Sequence, residues 1–112
     1  MSNKDNKIEA EMNRGFLQIM VLLALENPMY GYMMIRFIEN IGYSVVENTL
    51  YPMLRRFEKN GWISSSWDVK HDRPKKYYEI TNEGKTVRNK LLRIWQKQNG
   101  VITKLLEEVK NG

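Results

Sequence analysis

Three features of the 112-residue sequence predict a mainly α protein with a small β-hairpin, a winged helix-turn-helix that carries a long C-terminal dimerisation helix. Helical periodicity recurs in three segments before Gly61. The pattern then switches to alternation, from Trp62 to Ile80, around a basic loop. Helical periodicity returns over Asn82–Val109 with two apolar seams instead of one. Residues 1–81 read as the winged helix-turn-helix and residues 82–112 as the dimerisation helix, within one compact unit.

Residues 1–7 are polar and expected to fray. From Ile8 to Leu25, Met12, Phe16, Leu17, Met20, Leu23 and Ala24 share one helical face, and Ile19, Val21 and Leu22 make the segment apolar nearly all round. Such a helix must be covered on most sides, by its own domain or by a partner. Glu26-Asn27-Pro28-Met29-Tyr30-Gly31 breaks it, because a residue before proline is pushed out of the helical region. A second helix follows over Gly31–Asn40, with Met34, Ile35 and Ile38 inward, Phe37 near the edge and Gly42 as its stop. Gly31, within Tyr30-Gly31-Tyr32, is expected to permit close packing, with the tyrosines packing their rings and leaving hydroxyls at the surface.

The stretch Asn48–Gly61 is the most informative. Leu50, Met53, Leu54 and Phe57 form one apolar stripe at i, i+3, i+4 and i+7. The opposite face reads Thr49, Tyr51, Pro52, Arg55, Arg56 and Lys59. Two start signals compete: a cap at Asn48 or Thr49, and the capping box Ser44-Val-Val-Glu47. Pro52 is expected in or beside the first turn, where its missing N–H costs least. A thin helix docked on one side, with hydroxyl, phenol and guanidinium groups on the other, suits a DNA major groove.

Trp62–Asp68 and Lys75–Ile80 read as two strands joined by the polar turn Lys70-His71-Asp72-Arg73-Pro74, in which His71 is a solvent-exposed loop residue. Tyr77 and Tyr78 fall on opposite faces, so one packs inside. Arg73, Lys75 and Lys76 place cations at a loop stiffened by Pro74, suited to phosphate or a minor groove. Thr81 caps the last helix. Its two seams are Val87, Leu91, Ile94, Val101 and Leu105, and Leu92, Trp95, Ile102, Leu106 and Val109. At about 1.5 Å per residue the helix extends roughly 42 Å, more than a domain of this size can cover on both seams. A homodimer is the simplest partner. Gly100 is a candidate kink.

Charge and composition narrow the function. Residues 1–66 hold seven Lys/Arg and seven Asp/Glu, whereas residues 67–112 hold eleven and six, so the second half carries the whole net +5. A localised basic field favours a polyanion such as double-stranded DNA, although a solvated basic surface gives the same count. With no cysteine and one histidine, thiol chemistry, a Cys zinc site and a His cluster are excluded. No nucleophile–base pair or phosphate-cradling loop occurs, so neither an enzyme nor a cofactor is expected. The N-terminus lacks a signal-peptide layout, and the apolar run Phe16–Leu25 is too short to span a bilayer. The chain reads as cytoplasmic, with no membrane partner.

Arg14-Gly15-Phe16-Leu17, Tyr30-Gly31-Tyr32, Asn48-Thr49-Leu50-Tyr51-Pro52, Arg56-Phe57-Glu58-Lys59-Asn60-Gly61, Arg73-Pro74-Lys75-Lys76-Tyr77-Tyr78 and Ile80-Thr81-Asn82-Glu83-Gly84 together resemble the PadR family of bacterial transcriptional regulators. The resemblance runs from about Arg14 to the last helix, with the motifs in the family's order. It is similar to the small subgroup whose single terminal helix makes the dimer. It implies a dimeric, sequence-specific DNA-binding regulator, a repressor, on an operator with an inverted repeat. From the outer face of the third helix, Tyr51 and Arg55 are expected to face the groove, with Thr49 and Lys59 nearer the DNA backbone and Asn48 and Pro52 beside them, while Arg73, Lys75 and Lys76 hold phosphates or enter the minor groove.

Trp95 falls where a multidrug-binding member of the family carries a ligand-stacking tryptophan, and Phe16, Gln98 and Asn99 would complete such a site. The chain departs from that member in the first helix and in having Asn99, not an acid, one turn after Trp95. The effector expected there is small, planar and aromatic. A winged-helix module that binds protein instead of DNA is the alternative.

Overall fold

The apolar residues spaced at helical intervals meet in one core. The computed structural model describes residues 3–70 and 72–111, with side chains described from Lys7 onward. The elements are α1 (Asn3–Ala24), β1 (Met29–Tyr30), α2 (Gly31–Ile41), α3 (Glu47–Lys59), β2 (Ile63–Asp68), β3 (Lys75–Ile80) and α4 (Asn82–Asn111). Val21, Leu22 and Leu25 of the first helical segment, Met34 of α2, Leu50, Leu54 and Phe57 of α3, and Ile63 of β2 are fully or almost fully buried. Tyr78 and Ile80 close the core from β3. Each such side chain contributes about 1.5–3 kcal/mol by leaving water, which is why the helices adopt this arrangement despite modest propensities.

Several boundaries differ from the sequence reading. The α1 helix reaches back to Asn3, so the residues expected to fray are helical from there on. Its expected face divides: Leu17 and Ala24 are buried, whereas Met12, Phe16 and Leu23 are exposed. The segment is apolar all round, so periodicity could not choose its inner side. A two-residue strand, β1, joins the hairpin in a three-stranded antiparallel sheet of order β1-β3-β2. Met29 pairs with Tyr78 and Tyr30 with Tyr77, a strand too short to show alternation. Trp62 precedes β2, its N–H bonding Phe57 O at 2.9 Å. The sequence reading of His71 lies outside the described residues.

Neither expected cap starts α3. The helix begins at Glu47 after an extended Val46 that makes no side-chain cap. Pro52 is therefore in the second turn, where it removes the bond that the Asn48 carbonyl would accept. Asn48 is exposed, so that carbonyl can be hydrated. Both α2 and α3 stop as the sequence indicates. Gly42 at φ 112° and Gly61 at φ 78° adopt the left-handed conformation, and the following N–H groups reach back to Ile38 O and Phe57 O.

The start of α4 is a tight joint. The Thr81 hydroxyl accepts the Gly84 N–H at 3.0 Å, as expected of a cap, and donates to Gly61 O at 2.7 Å. The Thr81 N–H bonds Trp62 O at 3.0 Å. A methyl group on Gly84 would lie 2.0 Å from that same Trp62 oxygen. Arg88 is ion-paired with Glu26, linking α4 to the end of the first helix. Beyond this joint Val87 and Leu91 pack on the core, but every described side chain from Arg93 onward is exposed. The helix runs unbroken through Gly100. From Ile94 onward both apolar seams stand bare, with Ile102, Leu105 and Leu106 more than half exposed. No helix among the described residues is long and apolar enough to cross a membrane.

Gly84→Ala is expected to destabilise the fold by about 1–3 kcal/mol, since the obstructing atom is backbone and cannot swing away. Gly31→Ala is expected to cost less, because the nearest atoms at 2.6 Å belong to the outer ring of Tyr51, which can rotate outward. Paired chemical denaturation curves check this order.

Candidate nucleic-acid interface

The inner face of α3 is held in the core, which fixes what its outer face presents. Asn48, Thr49, Pro52, Arg55, Arg56 and Lys59 are exposed. Among the described residues Arg55, Arg56 and Lys59 make no ion pair. Tyr51 differs from these. It is half-buried, packed on the core, with its ring against Gly31. Burial, and then the charge of Glu47, pushes its phenol up from the ordinary value. Gly31 thus provides the close approach that the sequence indicates, and Tyr51 is the residue that approaches.

The sheet divides the three wing cations. Pairing in register places Ser65 opposite Tyr78 and Trp67 opposite Lys76, so these four share one face, with Tyr78 in the core. Lys75 and Tyr77 lie on the other face. Arg73 is exposed near the tip. Lys75 is exposed, its ammonium 4.6 Å from the centre of the Tyr30 ring. Lys76 is ion-paired with Glu58 of α3 at 3.6 Å. Glu58 also accepts a hydrogen bond from the Ser65 hydroxyl, so one carboxylate touches both wing strands. Sequence reasoning missed Glu58. Its partners are distant in the chain, and only the strand register brings them together.

Tyr77 donates to the Tyr30 hydroxyl, their ring centres 4.1 Å apart. This pair fastens β1 to β3 beside Lys75. Tyr78 is pushed up from the ordinary phenol value by burial and by Glu58, with Arg55 opposing.

A second feature lies away from this surface. Trp95, Phe16, Gln98 and Asn99 all line one open groove of about 880 Å³ between the first helix and α4. Phe16 and Trp95 also line an adjoining pocket of about 430 Å³ with Leu23, Phe37, Ile41 and Leu92. Phe16 packs edge-on against Tyr43, ring centres 5.6 Å apart. No group of three metal-ligating side chains occurs among the described residues.

Residues 19–90 match the model of the transcriptional regulator PadR-like family. A Lysinibacillus sphaericus protein of uncharacterised function is 31% identical over 105 residues, covering 89% of this chain and 96% of its own. Among solved structures, a PadR family transcriptional regulator from Eggerthella lenta is 35% identical, with a TM-score of 0.87 over 94% of both chains. A PadR-like transcription factor from Bacteroides fragilis is 28% identical, with a TM-score of 0.75 over 88% of this chain and 98% of that one. A transcriptional regulator from Clostridium thermocellum is 32% identical, with a TM-score of 0.75 over 84% and 96%.

The Tyr30–Tyr77 pair predicts an alkaline signature. The hydrogen bond to Tyr30, with lesser help from desolvation, pushes the Tyr77 phenol up to about 12. A raised phenol favours the protonated folded state. Its contribution is therefore intact below the ordinary value of 10.0 and lost as pH rises through about 12. Over that window the denaturation midpoint of the wild type should fall more steeply than that of Tyr77→Phe, and tyrosinate absorbance should show a late step that the variant lacks.

Proposed function

We propose, from the premise that this chain belongs to the PadR-like family of transcriptional regulators, that it is a dimeric, sequence-specific DNA-binding repressor released by a small planar aromatic ligand. The observation that carries the reading is the outer face of α3, where Arg55, Arg56 and Lys59 stand exposed and unpaired among the described residues. In this reading α3 enters the major groove, and Arg55 reaches base edges. Thr49, Asn48 and Lys59 hold the adjacent backbone while Pro52 keeps the helix surface narrow. Tyr51, whose ring edge and hydroxyl lie against Gly31, joins this face by rotating outward. Arg73 and Lys75 meet phosphate or the minor groove from the wing, with Lys76 behind them.

The bare seams of α4 support a two-fold dimer, with the head of residues 1–81 carried on the helix from residue 82. Two heads related by that axis would read an inverted repeat with half-sites about one helical turn, roughly 34 Å, apart. In the same dimer Trp95 and its two-fold mate would flank a flat space in which an aromatic plane can stack, with Phe16 beneath it and Gln98 and Asn99 supplying polar groups. A ligand preferring a shifted arrangement of the protomers lowers DNA affinity by that preference.

Titration of a duplex from the promoter of the chain's own gene tests the DNA step. Arg55→Ala is expected to cost about 1–3 kcal/mol and relax sequence preference, whereas Arg73→Ala should weaken all sequences alike and flatten the salt slope by about one. Unchanged affinity after both replacements would remove the groove assignment and favour the protein-binding alternative.

Replacing Leu105 and Leu106 by Lys should bury unpaired charge in the seam and give monomer or aggregate in sedimentation. With Trp62 and Trp67 changed to Phe, planar aromatic compounds should quench Trp95 saturably. Trp95→Ala should then lose that binding and keep the dimer; its dissociation would make Trp95 structural.

A further inference from the structure

Lys76 is the third cation of the wing, set behind Arg73 and Lys75, and it is already spoken for. Its ammonium lies 3.6 Å from Glu58 Oε1, 5.6 Å from the centre of the Tyr78 ring and 6.0 Å from that of Trp67. The Lys76 and Glu58 side chains are only 35% and 36% exposed, so water screens them less than it screens a fully solvated pair. The other Glu58 oxygen accepts the Ser65 hydroxyl, which holds the carboxylate in place on β2. Glu58 thus lies in the last turns of α3 with a grip on both strands of the wing.

We propose that Glu58 is a built-in competitor for DNA phosphate, which withholds Lys76 and thereby sets the affinity of the wing below what its cations allow. The inference rests on the DNA-binding reading above. An incoming phosphate meets two options at Lys76. Taking the ammonium away from Glu58 leaves a carboxylate facing a phosphate, which repel. Leaving the pair intact yields no released counterion from that lysine. Either way the wing delivers fewer effective contacts than the three cations Arg73, Lys75 and Lys76 indicate. The same carboxylate also touches β2 through Ser65, so Glu58 acts through Lys76 and Ser65, and not as a contact to bases.

Removing the charge while keeping the acceptor separates these roles. Glu58→Gln retains an oxygen for the Ser65 hydroxyl and frees Lys76. Anisotropy titrations over a range of salt should be run on the promoter duplex and on a mixed-sequence duplex of equal length, for the wild type, Glu58→Gln, Lys76→Gln and the double variant. Glu58→Gln is expected to bind both duplexes several-fold more tightly at low salt and to steepen the salt slope by roughly 0.9 per wing, or about 1.8 for a dimer. Lys76→Gln should leave the wild-type slope nearly unchanged, and Glu58→Gln should add nothing once Lys76 is gone. A merely structural Glu58 would instead change the thermal midpoint with no change in slope. The proposal is overturned if the wild type binds with a steep slope that Lys76→Gln flattens by a full contact, or if Glu58→Gln leaves the slope as it was. Absence of salt-dependent binding by the wild type to either duplex would instead overturn the DNA-binding reading itself, and the inference with it.

Discussion

The geometry of this protein depends on a contact too tight for a methyl group. Gly84, in the first turn of α4, sits against the carbonyl of Trp62, which also accepts the Thr81 N–H. The Thr81 hydroxyl bonds in two directions, to the helix it caps and to Gly61 at the end of α3. The exit direction of the long helix is therefore set relative to α3 by backbone contacts and one short side chain, not by long flexible ones. In the proposed ligand release, this joint is the contact through which a shift of α4 would reach the C-terminal end of α3.

A second constraint acts within the head. The weak forces of the wing face are arranged around the strong ones of the core. Surface ion pairs contribute at most about 1 kcal/mol each, so Lys76–Glu58 cannot be what holds the hairpin in place. Burial of Ile63, Tyr78 and Ile80 does that, and strand pairing sets the register. The polar links then choose which cations are held and which are free. Lys75 rests on an aromatic face, Lys76 on a carboxylate, and Arg73 projects from the loop. Three cations within four residues become three different electrostatic situations.

Periodicity made most of the fold legible. The α2 and α3 stripes, the left-handed glycine stops, the two long strands and the Thr81 cap follow from residue spacing and turn chemistry. What was not legible has specific causes. The β1 strand exists only because β3 offers it an edge, and two residues carry no period of their own. The start of α3 had two good capping signals, and packing of Leu50 and Leu54 chose a register that uses neither. The first helix is apolar all round, so the pattern said that it would be covered without saying which side its own chain covers. At the candidate site, exposure of Arg55 and Lys59 could be read from the stripe opposite them. The approach of Tyr51 to Gly31 and the grip of Glu58 on Ser65 and Lys76 could not, since each joins elements whose distance is set by tertiary packing alone.

The bare half of α4 also has a consequence for how the protein is made. From Arg93 onward every described side chain of α4 is exposed. A solitary helix of that length is marginal in water, because propagation alone barely offsets the cost of nucleation. In the proposed dimer, ordering of this tail and pairing of subunits become one bimolecular event governed by mass action. The fraction of competent molecules would then rise with copy number, leaving newly made chains at low abundance frayed and open to proteases. In that proposed dimer, expression level itself would become an input, with a threshold set by the hydrophobic seam.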